Sequence, residues 1–199
     1  MHSNKRISED DLVRAKEIYR NTFGKHFHMW QDEVLVEYEA YQIPKDVERR
    51  WCDEILNEIM NEICNSQNMK VKQHALFKYG QFANNFSDEI ALIKMGTYLE
   101  KNSGKLDTFT IYMGVIYYME DLHELLKCAD ADKESKVACI QMAQRLMQIL
   151  KQELEKGIII SSDFYVNGKL PDYLSKEKLQ IRIKDSLCEW KRKGIFSIA

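Results

Sequence analysis

Proline occurs twice in this chain of 199 residues and glycine only eight times. With helix breakers so scarce and Glu, Lys, Leu, Met and Gln abundant, the composition predicts long helices joined by short loops. No low-complexity linker interrupts the chain and no internal repeat is present. The uncharged run at 109–119 is far short of the roughly 20 residues needed to cross a bilayer, so no membrane span is expected. The opening residues, MHSNKRISEDD, lack the apolar core of a secretion signal. A cytoplasmic protein is therefore expected. The net charge of −2 supplies no whole-protein field to attract nucleic acid.

Several chemistries lack their motifs. There is no GxSxG elbow, no HExxH, no glycine-rich phosphate loop and no CxxCH haem site. The five cysteines (Cys52, Cys64, Cys128, Cys139 and Cys188) form no CxxC pair. Four of them fall among apolar periodic positions, which predicts buried free thiols in a reducing compartment.

What the chain does contain is helical periodicity. At 45% apolar residues it can bury one substantial core. The stretch with the greatest organising power is Phe109–Lys127. Its first half has almost no polar side on a helix and should sit centrally with neighbours around it. Glu120, Asp121, Glu124 and Lys127 mark a more polar second half.

Other helices are expected from Ser8, as an N-cap, to Gly24, and through Trp30, Val34, Tyr38 and Tyr41. A third begins at Pro44 and carries the ladder Val47, Trp51, Ile55, Ile59 and Ile63, with Cys52, Leu56, Met60 and Cys64 beside it. Further runs cover Ala75–Phe86, Ile90–Lys101 with Ser87 as cap, and Lys133–Glu155 closed by Gly157. A last helix runs from Ser175 to Lys191 and is stopped by Gly194; the tail IFSIA is a terminal strand or a docked segment. Between the last two helices, residues 158–174 change character. Ile158–Ile160 is β-like and Asn167–Gly168 is a turn signal. The expected fold is all-α: a single bundle-like domain, 1–199, of seven to eight helices, with a small irregular or hairpin insert before the last. The best place for any boundary is near Gly157.

Two site hypotheses follow. Glu120 and His123, three apart on one helix face, could offer a carboxylate and an imidazole to one metal. The second ExxH that a carboxylate-bridged bundle site needs is missing, so a solvated pair is the plainer reading and no cofactor is expected. His26 and His28, beside Trp30, are ordinary connector residues on the plain reading, or a pH-responsive contact. The second hypothesis concerns the aromatics. Ten Tyr and three Trp are many, and rings with polar handles suit interfaces as well as cores. Residues 158–173, with Phe164, Tyr165 and Tyr173, are the candidate partner contact or a lid over a pocket.

Residues 176–193 hold seven Lys or Arg against three acids. Positive charge suits a helix C-terminus, and no nucleic-acid motif accompanies it. The leading expectation is a cytoplasmic, non-catalytic protein-binding module, such as a regulator or an immunity-type inhibitor. Its partner would be another protein, or further copies of itself. The rival is a small-molecule-binding or metal-dependent helical-bundle enzyme.

Overall fold

A computed structural model describes residues 7–86, 88–129 and 132–193. The expected cap Ser87, the stop Gly194 and the tail IFSIA lie outside the described residues. The fold is all-α: nine α-helices and no strand occur among the described residues. They are α1 (Glu9–Asn21), α2 (His26–Gln31), α3 (Leu35–Ala40), α4 (Lys45–Asn65), α5 (Met69–Ala83), α6 (Glu89–Asn102), α7 (Thr108–Lys127), α8 (Lys133–Lys156) and α9 (Lys176–Arg192). Packing groups the chain into two compact units, 1–58 and 59–199. The division falls inside α4 rather than near Gly157.

The helix starts follow from their caps. The side chains of Ser8, Asn68, Asp107, Asp132 and Ser175 each accept a backbone N–H from the first turn that follows, and Asp88 accepts two. Each bond satisfies an N–H that would otherwise have no partner within the helix.

In the first unit, the single helix expected through Trp30–Tyr41 is two short ones. The chain breaks at Asp32–Glu33, where Glu33 adopts a left-handed backbone (φ 60°). Arg14 grips Glu37 through two bonds, Nε to Oε1 at 2.8 Å and Nη2 to Oε2 at 3.2 Å, which ties α3 to α1. The Tyr38 hydroxyl donates to buried Glu48 at 2.7 Å, which ties α3 to α4. Lys16 pairs with Glu54, and Arg20 with Glu58, between α1 and α4. Beneath these pairs lie Ala15, Ile18, Tyr19, Met29, Trp51 and Ile55, with Tyr19 and Trp51 in edge contact at 5.9 Å.

In the second unit α7 is the centre, packing against α5, α6 and α8. It buries twelve of its twenty residues, including Ile111, Val115, Tyr118 and Leu122. The side-chain neighbours give the directions. Gln73 meets Tyr117 and Gly80 meets Asp121, so α5 runs parallel to α7. Leu99 meets Gly114 and Gly96 meets Tyr118, so α6 runs antiparallel to α7. The Tyr118 hydroxyl donates to the Cys139 carbonyl at 2.9 Å, and Thr108 meets Glu153, so α8 is also antiparallel to it. α9 joins through Leu179, Ile183 and Trp190, and its Ser186 hydroxyl meets the Tyr112 hydroxyl at 3.1 Å.

Two glycines set how close these helices come. A methyl group on Gly96 would stand 2.4 Å from Met142 Cγ and 2.8 Å from Tyr118 Cε2. One on Gly114 would stand 2.6 Å from Leu99 Cδ2, the end of a flexible side chain. Alanine normally favours a helix interior by about 0.5–1 kcal/mol over glycine, while overpacking a filled core costs about 1–3 kcal/mol. Gly96→Ala is therefore expected to destabilise by about 1–2 kcal/mol on balance, and Gly114→Ala by less. Urea midpoints of the two variants check this; an unchanged or raised midpoint for Gly96→Ala would refute the close approach.

Candidate functional site

The six residues of α2, HFHMWQ, bury one side chain, Met29. Phe27 and Trp30 lie three apart and so share a helix side. Their rings are 6.3 Å apart, and they are 62% and 66% exposed. His28 extends the cluster, meeting the ring of Phe27 at 5.6 Å and that of Phe23 at 5.8 Å, both edge-on. Its Nδ1 lies 3.2 Å from Gln31 Oε1. On α3, Val36 is 82% exposed. Phe27 and Trp30 are thus an adjacent pair of large exposed apolar side chains.

The helical stripe expected from Trp30 through Tyr38 is corrected here. The break at Glu33 cancels the register, so Tyr38 is buried while Trp30 points out. His26 and His28 belong to a helix rather than to a connecting loop.

Segment 26–41 contains Asp32, Glu33, Glu37 and Glu39 but no Lys or Arg. Glu37 is engaged by Arg14 and also accepts from the Tyr41 hydroxyl at 3.0 Å. The hydrogen bonds from Arg14 hold its carboxyl below the usual range. Asp32, Glu33 and Glu39 are exposed and form no ion pair among the described residues. In the same unit, an open groove of about 290 Å³ lies over Leu12, Val13, Val47 and Trp51, with Glu9, Lys16, Arg50 and Glu54 at its edges.

The second aromatic candidate, residues 158–174, is a strap without strands. It has short 3-10 turns at Ser162–Phe164 and Asp172–Leu174. The Asn167–Gly168 signal is realised as a tight turn, with both residues left-handed and a lone bridge between Val166 and Lys169. The strap is held at two helix starts. Asp107 accepts from Thr110 N (2.8 Å) through Oδ1 and from Ser161 N (2.6 Å) through Oδ2. Thr108 and Ile159 bond in both directions: Thr108 N to Ile159 O at 2.8 Å, and Ile159 N to Thr108 Oγ1 at 3.0 Å. The Thr108 hydroxyl donates to buried Glu153 at 3.1 Å. Asp163 accepts from Met69 N, at the start of α5, at 2.6 Å. Carboxylates at both helix starts also suit the dipoles there.

This anchoring settles where the three candidate rings lie. Phe164 is buried, edge-on to Phe109 at 5.0 Å, and so belongs to the core rather than to a contact surface. Tyr165 and Tyr173 are 44% and 63% exposed. An open depression of about 410 Å³ lies beside the strap, bordered by Leu154, Lys156, Ile159, Lys176 and Gln180.

Glu120 and His123 are both exposed on α7. No group of three His, Cys, Asp or Glu with the spacing of a metal site occurs among the described residues. The donor set thus falls short of what a protein-held metal requires. Of the adjacent tyrosines, Tyr118 is buried, and burial pushes its hydroxyl pKa up. Tyr117 is half-buried, accepting from Gln73 at 2.9 Å and edge-on to Phe77 at 5.5 Å. Buried Lys72 caps the end of α4, its Nζ donating to the Ile63 carbonyl at 2.5 Å and to the Tyr98 hydroxyl at 3.3 Å. Burial lowers its pKa.

No family model matches the chain, and neither a curated protein nor a solved structure matches it.

The expectation of buried thiols holds for only two cysteines. Cys52 and Cys139 are buried, Cys128 is intermediate, and Cys64 and Cys188 are exposed. Burial pushes the Cys139 thiol up to about 11. Titration with an aromatic disulfide at pH 8 should modify Cys64 and Cys188 first and Cys128 more slowly. Cys52 and Cys139 should react only in denaturant; rapid reaction of Cys139 in the native protein would contradict the packing. Asp107→Ala should remove both a helix cap and the Ser161 bond, destabilising by about 2 kcal/mol. Its stronger effect should be early amide exchange at Ser161 and Ile159, measured by hydrogen exchange. Protection there equal to wild type would show that Asp107 does not hold the strap.

Proposed function

We propose that this chain is a protein-binding module whose contact surface is centred on Phe27 and Trp30 of α2. The observation that carries this reading is the pair itself: two large rings in mutual contact, each more than half exposed, on a short helix that buries only Met29. Tryptophan and other aromatics supply much of the binding energy at protein interfaces because they bury a large area with few rotatable bonds. Leaving such rings in water is unfavourable by about 1.5–3 kcal/mol for each side chain that could be buried. A partner recovers that free energy.

The frame beneath the rings suits this role. The Arg14–Glu37 and Tyr38–Glu48 contacts hold α3, and Met29 seats α2, so the rings are presented from a fixed base. Such preorganisation lowers the ordering cost of association. Tyr165 and Tyr173 are two further exposed aromatics in the other unit, both carried on the Asp107-anchored strap. The metal-dependent alternative gains no support from exposed Glu120 and His123.

The test is affinity capture from the native host with three baits: wild type, Phe27→Ala/Trp30→Ala, and Tyr165→Ala/Tyr173→Ala. All four replaced side chains are exposed, so each bait should keep the wild-type thermal transition. Proteins retained by wild type should be lost, by tenfold or more, from the α2 variant. Such a loss corresponds to about 1.4 kcal/mol or more. Equal retention on wild type and the α2 variant would overturn the assignment to α2.

A further inference from the structure

The charge around the α2 rings narrows the kind of partner. The sixteen residues of segment 26–41 include four carboxylates and no Lys or Arg. Arg14 neutralises Glu37, whereas Asp32, Glu33 and Glu39 remain exposed and without an ion pair among the described residues. Asp32 and Glu33 directly follow the helix that carries Phe27 and Trp30. Two carboxylates, Asp32 and Glu33, thus stand at the C-terminal end of the helix that carries the rings, with Lys25 at its N-terminal end.

We infer that the α2 surface docks a cationic amphipathic helix of a partner protein, with apolar side chains covering Phe27 and Trp30 and Lys or Arg facing Asp32 and Glu33. This rests on the protein-binding reading above and adds to it the chemistry of the partner. A helix suits the site because apolar residues at i, i+3, i+4 and i+7 make a narrow stripe, flanked by positions that can carry the basic groups. Charge complementarity of this kind sets specificity and speeds encounter. The same acids repel the anionic headgroups of a membrane surface, so an interfacial lipid partner is disfavoured although exposed Trp and Phe could otherwise serve it.

The test uses the full chain and dye-labelled synthetic peptides of about 18 residues, five helical turns. One is a Lys/Leu amphipathic helix and the other is its Glu/Leu twin. Binding is read by fluorescence anisotropy at low and high salt. The Lys/Leu peptide should bind, weaken as salt rises, and lose about tenfold or more in affinity to Trp30→Ala. Asp32→Lys/Glu33→Lys should weaken the Lys/Leu peptide and strengthen the Glu/Leu one. Failure of the Lys/Leu peptide to bind, equal binding of both peptides, or binding indifferent to Trp30→Ala would each overturn the inference. So would Trp30-dependent binding to phosphatidylcholine vesicles in preference to the peptide. The capture experiment separates the two levels. Host proteins lost from the α2 variant, with no Lys/Leu binding, would leave the module reading standing and remove the cationic helix. Retention of the same proteins by the α2 variant would remove both.

Discussion

A helix with almost no polar side can be stable in water only if other elements surround it, and that condition governs the second unit. The first half of α7 carries Phe109, Ile111, Tyr112, Val115, Tyr118 and Met119, all buried. Three helices, α5, α6 and α8, therefore have to pack against one. Accommodating them requires small residues where backbones approach. Gly96 on α6 and Gly114 on α7 occupy those points, with Met142, Tyr118 and Leu99 filling the space where a Cβ would otherwise be. Burial of so many rings also creates polar obligations. The Tyr118 hydroxyl meets the Cys139 carbonyl and the Tyr112 hydroxyl meets Ser186, so these rings reach the core without stranding an O–H.

The same constraint acts at the start of α7, where Thr108 and Asp107 are buried. A buried helix start cannot satisfy its N–H groups with water. Asp107 resolves part of this by accepting from Thr110 N, and the strap adds the Ile159 carbonyl, which accepts from Thr108 N; in return Ile159 N donates to Thr108 Oγ1 and Ser161 N to Asp107 Oδ2. Residues 158–174 are irregular for a physical reason. Their backbone groups are directed at helix ends and turns rather than at a neighbouring strand. The run Ile158–Ile160 has β propensity, but one isolated bridge is all the pairing that follows.

Much of this was legible in the sequence. The centrality of Phe109–Lys127, the α4 ladder, the long α8 helix and most of the caps followed from period and cap chemistry. What escaped shares one physical character: it depends on contacts between residues distant in the chain. Asp107 and Ser161 are 54 positions apart, and Asp107 reads locally as an ordinary cap. Glu153 falls on the buried side of α8 because Thr108 is there to donate to it. Cys64 and Val137 fit apolar stripes by spacing yet lie outside the packed core, since a helix face is wider than the contact that covers it. The local sequence makes Phe164 look as exposed as Tyr165 and Tyr173; its burial depends on Phe109, 55 positions earlier.

Trp30 shows how a single backbone residue can reverse such an assignment. In an unbroken helix, Trp30, Val34, Tyr38 and Tyr41 fall on one side, and a core position for Trp30 follows. Glu33 enters the left-handed region instead, and α2 ends before α3 begins. The local sequence contains no glycine there to announce the turn. Glutamate pays a steric cost in that conformation, and the pairing of Val34 N with the Met29 carbonyl at 2.9 Å offsets part of it by closing the α2 end. The consequence is a division of labour within six residues. Met29 takes the core position, and Phe27 and Trp30, three apart, are left together on the outside. Had α2 and α3 formed one helix, packing would have claimed Trp30. The break separates the ring from the core while Met29 keeps α2 seated, and the contact surface proposed for Phe27 and Trp30 depends on that separation.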